Sequence, residues 1–298
     1  MSLPRGLTTR PLHLSDASAV TAVMAADQLA VLGRVVIEEA DIVGDWQRPS
    51  HDVAAGTIGV FDGDRLVGYA EAGRSGRGDA AVLPEYHGQG IGRWLAGWMV
   101  QRAGEQGQQV IGMPVPSGSP GERLLRELGW KARWTSWVLV FPEGRSVEER
   151  PLPEGYRMRV AEEDADRRGA WDVIEDAFLE WSEREKESFA DWSAGVMDRP
   201  GFEPWNLRVV LDPAGEVVGG VFVLLSEGTG YVDKLAVRKD QRRRGLARAL
   251  LADAFRVARE HGASRSELAT DSRTGALDLY LGLGMEIEEE WVNLGREP

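Results

Sequence analysis

The sequence predicts an α/β chain in which a mixed sheet with flanking helices is built twice in tandem. Three observations lead there. Glycine-led turns open two amphipathic runs, at His87-Gly88-Gln89-Gly90-Ile91-Gly92 and at Arg242-Arg243-Arg244-Gly245-Leu246-Ala247. The pairs Gly90 and Gly245, Gly107 and Gly262, and Gly129 and Gly284 all stand 155 residues apart. Upstream, Val60 to Gly68 and Val210 to Gly219 both read as strand, Asp/Gly turn, strand. One such coincidence is cheap, but three at the same offset mark a duplication, and a repeat organises everything else. A length of 298 residues fits two domains of ordinary size.

Each copy reads in the same order: a helix-rich opening, a β-hairpin and a third strand. The glycine turn, a helix, a strand, a short helix and closing strands follow. In copy two the third strand is Tyr231 to Val237. The helix after the turn runs near Leu246 to Glu260, with Leu246, Leu250, Ala254 and Val257 on one face. That stripe reads as core. A strand at Glu267 to Thr270 and a helix at Thr274 to Leu281 come next. Pro151 and Pro153 among charges punctuate the join, so the predicted domains are 1–142 and 155–298 with a linker at 143–154.

Composition removes several classes of function. There is no cysteine, which excludes disulfides, thiolate metal sites and thioester catalysis through the enzyme. The four histidines (His13, His51, His87 and His261) are not at ligand spacing, so no metal is expected. The charge of −13, from 35 basic and 48 acidic residues, argues against nucleic acid as a partner. The longest apolar run, Val217 to Leu225, is far short of the ~20 residues of a membrane span, and no signal peptide is visible, so the expected setting is cytoplasmic without a membrane partner. The duplication leaves monomer and homodimer equally open.

The glycine turn carries the first chemistry. Between a strand and a helix, it aims backbone N–H groups at one spot, where the helix N-terminus adds about half a positive charge. That suits a phosphate, and equally suits nothing more than a helix entry. Neither a P-loop nor a dinucleotide fingerprint is present.

These residues together resemble the GNAT superfamily of acyl-CoA-dependent N-acetyltransferases. Copy two reads Arg242-x-x-Gly245-x-Ala247 and closes on Ala276-Leu277-Asp278-Leu279-Tyr280-Leu281-Gly282-Leu283-Gly284-Met285. Copy one reads His87-x-x-Gly90-x-Gly92, with His87 where Arg or Gln is usual, and a weaker close at Gly121 to Trp130. The resemblance covers nearly the whole chain as two units. It implies a V-splayed sheet in each unit, with acetyl-CoA as co-substrate between the fourth and fifth strands. The pyrophosphate would meet the turn at Arg242, Arg243, Arg244, Gly245, Leu246 and Ala247. Leu235, Ala236 and Val237 would pair with the pantetheine arm. In copy one the corresponding set is Val82, His87, Gly88, Gln89, Gly90, Ile91 and Gly92.

Acetyl transfer to a primary amine needs a base, because an ammonium of pKa ~10.4 must lose a proton, and an acid for the leaving thiolate. Tyr280 lies where the family often keeps its acid; otherwise it is a core tyrosine. Asp233 shares a strand face with Tyr231 and Leu235 and is the candidate base; otherwise it is a strand-end partner of Lys234, and a water chain does the work. Subtracting 155 places Leu125 opposite Tyr280 and Gly78 opposite Asp233, so copy two is expected to be catalytic and copy one structural or CoA-binding. A non-catalytic acyl-CoA-binding or sensing protein is the alternative. The acceptor is expected under Trp171 to Trp205. There Glu175, Glu180, Glu183, Glu185, Trp181, Trp192 and Trp205 suit a small cationic amine, or else form an acidic face over core tryptophans.

Overall fold

The computed structural model describes residues 3–73, 75–142, 144–145, 147–149, 151–182 and 184–298. The predicted linker therefore falls partly outside the described residues, at 143, 146 and 150, and so does the acceptor candidate Glu183. The chain forms two compact units. Unit 1 holds residues up to Ser136 together with Glu290–Pro298, and unit 2 holds Trp137–Glu289.

Unit 1 opens with β1 (Thr8–Arg10), α1 (Ala17–Leu32), α2 (Glu39–Trp46) and α3 (Val53–Gly56). The hairpin is β2 (Thr57–Asp62) and β3 (Arg65–Ala72), and β4 (Gly78–Val82) follows. These strands form an antiparallel sheet in the order β1-β2-β3-β4. Then come α4 (Ile91–Glu105), β5 (Ile111–Pro116), α5 (Pro120–Glu127) and β6 (Lys131–Val140). Ser119 caps α5 by accepting from the Glu122 N–H, with Pro120 at the first helical position. Arg77, the residue before β4, makes one parallel bridge with Gly112 of β5, and the two strands form no ladder beyond it. Val60, Val67, Leu95, Met99 and Ile111 are fully or almost fully buried between sheet and helices.

Unit 2 repeats the plan with β7 (Arg157–Val160), α6 (Asp164–Leu179), α7 (Phe189–Val196), β8 (Leu207–Leu211), β9 (Val217–Ser226) and β10 (Thr229–Val237). It continues through α8 (Leu246–Glu260), β11 (Arg265–Asp271), α9 (Leu277–Gly282) and β12 (Glu286–Arg296). β7 to β10 run antiparallel, and β11 joins β10 in parallel. The predicted stripe of α8 is buried, and Leu250 and Ala254 have no exposed surface. α9 begins three residues later than predicted. Asp271 holds a turn by accepting from the Arg273 N–H, and Gly275 takes a left-handed φ of 67°, so a helix cannot start at Thr274.

The last strand serves both units. Trp291 to Arg296 of β12 pair antiparallel with Pro116 to Ile111 of β5, inside unit 1. Trp137 to Val140 of β6 belong to unit 2, where the following Phe141 N–H donates to the Ser266 carbonyl. Each unit is closed by a strand that the other copy's stretch of sequence supplies.

Candidate active site

In unit 2 the parallel ladder between β10 and β11 covers only Thr229–Val232 against Arg265–Leu268. From Asp233 onward β10 keeps its β9 partner and loses β11. Half of its remaining backbone N–H and C=O groups thus face a notch without a strand to bond. Leu235, Ala236 and Val237 sit on this stretch, opposite Val221, Gly220 and Gly219 of β9.

A β-bulge lies at the mouth of the notch. Val232 pairs with Val223 and Lys234 with Phe222, which leaves Asp233 as the extra residue. β3 and β4 pair without interruption, so the bulge is absent from unit 1. This corrects the mapping of Asp233 onto Gly78. The offset of 155 holds after the bulge and falls to 154 before it, and no residue of β4 corresponds to Asp233. Its carboxylate is 32% exposed and pairs with Lys234 at 2.6 Å.

The cradle follows β10. After a single 3-10 turn (Lys239–Gln241), Arg243 and Gly245 both take left-handed φ values, 64° and 82°. Alternating left-handed residues before a helix turn successive N–H groups toward a common point. Unit 1 repeats this with Gly88 at 75° and Gly90 at 94° before α4. A Cβ built on Gly90 or Gly245 meets nothing within 4 Å, so each glycine serves the backbone angle and the space above the turn stays open. An acyl-CoA diphosphate fits such a concavity of N–H groups.

The side chains of the turn divide unequally. Arg242 does not reach over the concavity. Its Nε donates to the Val237 carbonyl at 3.1 Å, and its guanidinium grips both carboxylate oxygens of Glu180, just beyond α6. Arg242 holds the Glu180 carboxyl below the usual range. His87 repeats the arrangement, with Nε2 2.7 Å from the Val82 carbonyl and 3.1 Å from Asp27 of α1. Arg244 donates to the Tyr156 hydroxyl at 3.3 Å, and Gln89 donates to the Glu85 carbonyl at 3.1 Å. Arg243 is exposed. Leu246 and Ile91 are buried first residues of their helices, while Ala247 and Gly92 are half-buried.

Tyr280 lies on α9, 8% exposed, within the cluster that includes Val232, Leu250 and Met285. Burial alone pushes its phenol up to about 12, so it is a neutral hydrogen-bond donor at physiological pH. Its backbone register matches unit 1: the Met285 N–H donates to the Tyr280 carbonyl as the Trp130 N–H donates to Leu125. Leu125 is a buried core residue at the same place.

The acceptor segment is self-neutralised. Buried Glu175 accepts both Arg184 Nη groups, at 2.6 and 2.8 Å, and the Glu187 N–H. Burial would raise the Glu175 carboxyl, but these bonds hold it below the usual range. Glu185 is exposed. Trp192 is a core residue at 1% exposure, Trp205 stacks on His261, and Trp181 carries Arg273 on its face at 4.7 Å. Glu175, Glu180 and these rings are thus engaged within the fold.

Unit 1 holds a polar cluster that patterning did not reveal. Trp46 Nε1 and the Tyr69 hydroxyl both donate to Glu71 Oε2 at 2.9 Å, and His51 lies 3.7 Å from Oε1. Nearby Asp79 is raised to about 6, by burial first and Glu71 in addition, against the pull of Arg77. Glu71 and Asp79 face each other in the β3–β4 register, a pairing visible only once the strands are aligned. Among the described residues, no group of three acidic or His side chains could hold a metal ion, and no helix is long and apolar enough to cross a membrane.

Comparison with known proteins agrees with this geometry. The Acetyltransferase (GNAT) family model matches twice, over residues 29–130 and 168–285. A mycothiol acetyltransferase of Salinispora arenicola is 30% identical over 270 residues, covering 85% of this chain and 83% of that protein. A GCN5-related N-acetyltransferase from Sphaerobacter thermophilus has the same fold at TM-score 0.73 and 24% identity, covering 99% of this chain and 97% of that one. A tandem GNAT protein from the clavulanic acid biosynthesis pathway does so at TM-score 0.74 and 16% identity, covering 98% of each chain. With two notched sheets, two N–H cradles and a family match over both copies, the chain belongs to the GNAT acetyltransferases, as a tandem acyltransferase with acyl-CoA as co-substrate.

Proposed function

We propose that this protein transfers an acetyl group from acetyl-CoA to the primary amine of a small molecule, with the chemistry in unit 2. The observation that carries this is an asymmetry. Both units keep the left-handed turn, but only unit 2 has a bulge carboxylate on the fourth strand and a phenol on the last helix. Acetyl-CoA supplies the thioester. The residues at and after the cradle hold its diphosphate with backbone N–H groups, and the free edge of Leu235 to Val237 lines its arm. The Val237 carbonyl already accepts from Arg242, which leaves Leu235 and Ala236 as the main backbone partners. Asp233, directly or through a water, takes one proton from the acceptor ammonium, and the free amine then attacks the thioester carbon. As the C–N bond forms and the C–S bond breaks, the nitrogen gives up its second proton to solvent water, the sulfur leaves as thiolate, and Tyr280 donates a hydrogen bond to it. A phenol near 12 does not fully protonate a thiolate of ordinary pKa (~8.5), so its contribution is charge stabilisation.

The Salinispora arenicola relative is named a mycothiol acetyltransferase, which makes the amine acceptor of that enzyme the first compound to assay. Calorimetric titration with acetyl-CoA, followed by acetylation of that acceptor and a panel of primary amines, tests the reading. Saturable binding with turnover is expected. Binding without turnover on any amine would favour a sensor, and no binding would defeat the proposal.

A further inference from the structure

We propose that Glu180 and Trp181 form a clasp that ties the CoA cradle to the approach of the Tyr280 helix, so that cofactor binding orders the acceptor-side segment. This rests on the acetyl-transfer reading and assigns positioning residues within it. Three observations converge on these two neighbours. Glu180 grips Arg242, the first residue of the cradle, whose Nε also holds the Val237 carbonyl at the end of β10. Trp181 lies 5.3 Å from Phe178 of α6 and takes the Arg273 guanidinium at 4.7 Å, in the turn between β11 and α9. The dipeptide beyond α6 therefore touches both ends of the reaction path, the diphosphate turn and the turn that leads to the phenol.

The second copy supports a mechanical role for this contact. In unit 1 the first cradle residue is His87, and it makes the same two contacts: the carbonyl of the strand's last residue and a carboxylate of the opening helix region. Neither residue type is shared, since His87 and Asp27 stand for Arg242 and Glu180, yet the bond pattern is retained. The aromatic half is different. Unit 1 lacks the phenol, and Leu125 fills the place of Tyr280.

Ligand-dependent hydrogen exchange tests the clasp. Acetyl-CoA is expected to slow exchange of the backbone amides from Phe178 to Ser182 in the intact protein. Glu180→Gln should abolish that slowing and raise the acetyl-CoA dissociation constant about two- to fivefold, the range for a partly exposed ion pair. Arg242→His, the unit 1 solution, should retain most of the protection. Trp181→Ala should raise the acceptor KM and reduce the acetyl-CoA protection of Phe178 to Ser182, with a smaller rise in the acetyl-CoA dissociation constant than Glu180→Gln gives. Calorimetric binding by the wild-type chain without any change at Phe178 to Ser182, or full protection in Glu180→Gln, overturns the clasp while sparing the acetyl-transfer reading. Absence of acetyl-CoA binding overturns both.

Discussion

At the scale of single residues, the two copies differ at one matched helical position. Tyr280 and Leu125 share a backbone register, and both are buried, so substitutions there separate chemistry from packing. Tyr280→Phe keeps the ring and removes the donor. It should lower kcat by about 10²-fold, the low end for a positioned donor, with little change in Tm. Leu125→Ala should cost about 2–5 kcal/mol of stability and leave kcat of the folded enzyme nearly unchanged. Equal losses of kcat in the two variants, measured under saturating substrate, would defeat the assignment of catalysis to unit 2. Asp79 gives a second residue-level outcome. Its pKa of about 6 lies above the ordinary value, so the ionised form is less welcome in the folded chain than in the unfolded one. The cost is absent below about pH 4 and fully present above pH 6. Asp79→Asn should therefore raise Tm at pH 8 and have little effect at pH 4, as followed by thermal melts across pH. Destabilisation at pH 8 would show that the carboxylate is needed by Arg77 more than burial disfavours it.

At the scale of elements, the cradle is the part most fully written in the sequence. Glycine before an amphipathic run fixed both helix starts, and α8 spans the residues its pattern predicts. The left-handed turn also holds an internal contrast, because Arg243 occupies in unit 2 the position of Gly88 in unit 1. A side chain at positive φ costs about 1–2 kcal/mol. Arg243→Gly should therefore be neutral or stabilising in thermal melts, whereas Gly245→Ala should destabilise by about that amount and weaken acetyl-CoA binding. Stabilisation by Gly245→Ala would mean that the turn does not need its left-handed backbone. The bulge was less legible. Gly68 and Gly219 are 151 apart while Gly90 and Gly245 are 155 apart, so copy two has extra residues in between. Spacing alone does not tell a longer hairpin from a bulge. The structure spends three of the extra residues on lengthening β9 and β10 and one on Asp233. Likewise Glu180 and Trp181 read as acceptor contacts because composition reveals charge and aromaticity but no partners.

At the scale of the whole molecule, the duplication was legible because an offset needs no knowledge of packing. Turn chemistry and alternation then sorted strands from helices. The closing strands were not legible in the same way. Alternation says which face of a strand is buried and nothing about which neighbour it joins. β6 and β12 read as the ends of their own copies, yet each completes the other unit. The duplication also sets the expected binding stoichiometry. Both units have an open left-handed turn, while their notches differ, since one bridge joins Arg77, before β4, to β5, and β10 and β11 share a longer ladder. Calorimetry is expected to resolve one tight acetyl-CoA site, in unit 2, that Glu180→Gln weakens. Two equivalent sites would contradict the asymmetry on which the catalytic assignment rests.

The borrowed closing strand bears on synthesis. Apart from the single bridge of Gly112 to Arg77, Pro116 to Ile111 of β5 pair with Trp291 to Arg296. While the ribosome is still making the second copy, the first has left the exit tunnel with one strand edge bare. Such an edge is a template for pairing with other nascent chains. A chain of this design completes its first-made unit last, and its yield in cells depends on how well that edge is shielded during translation.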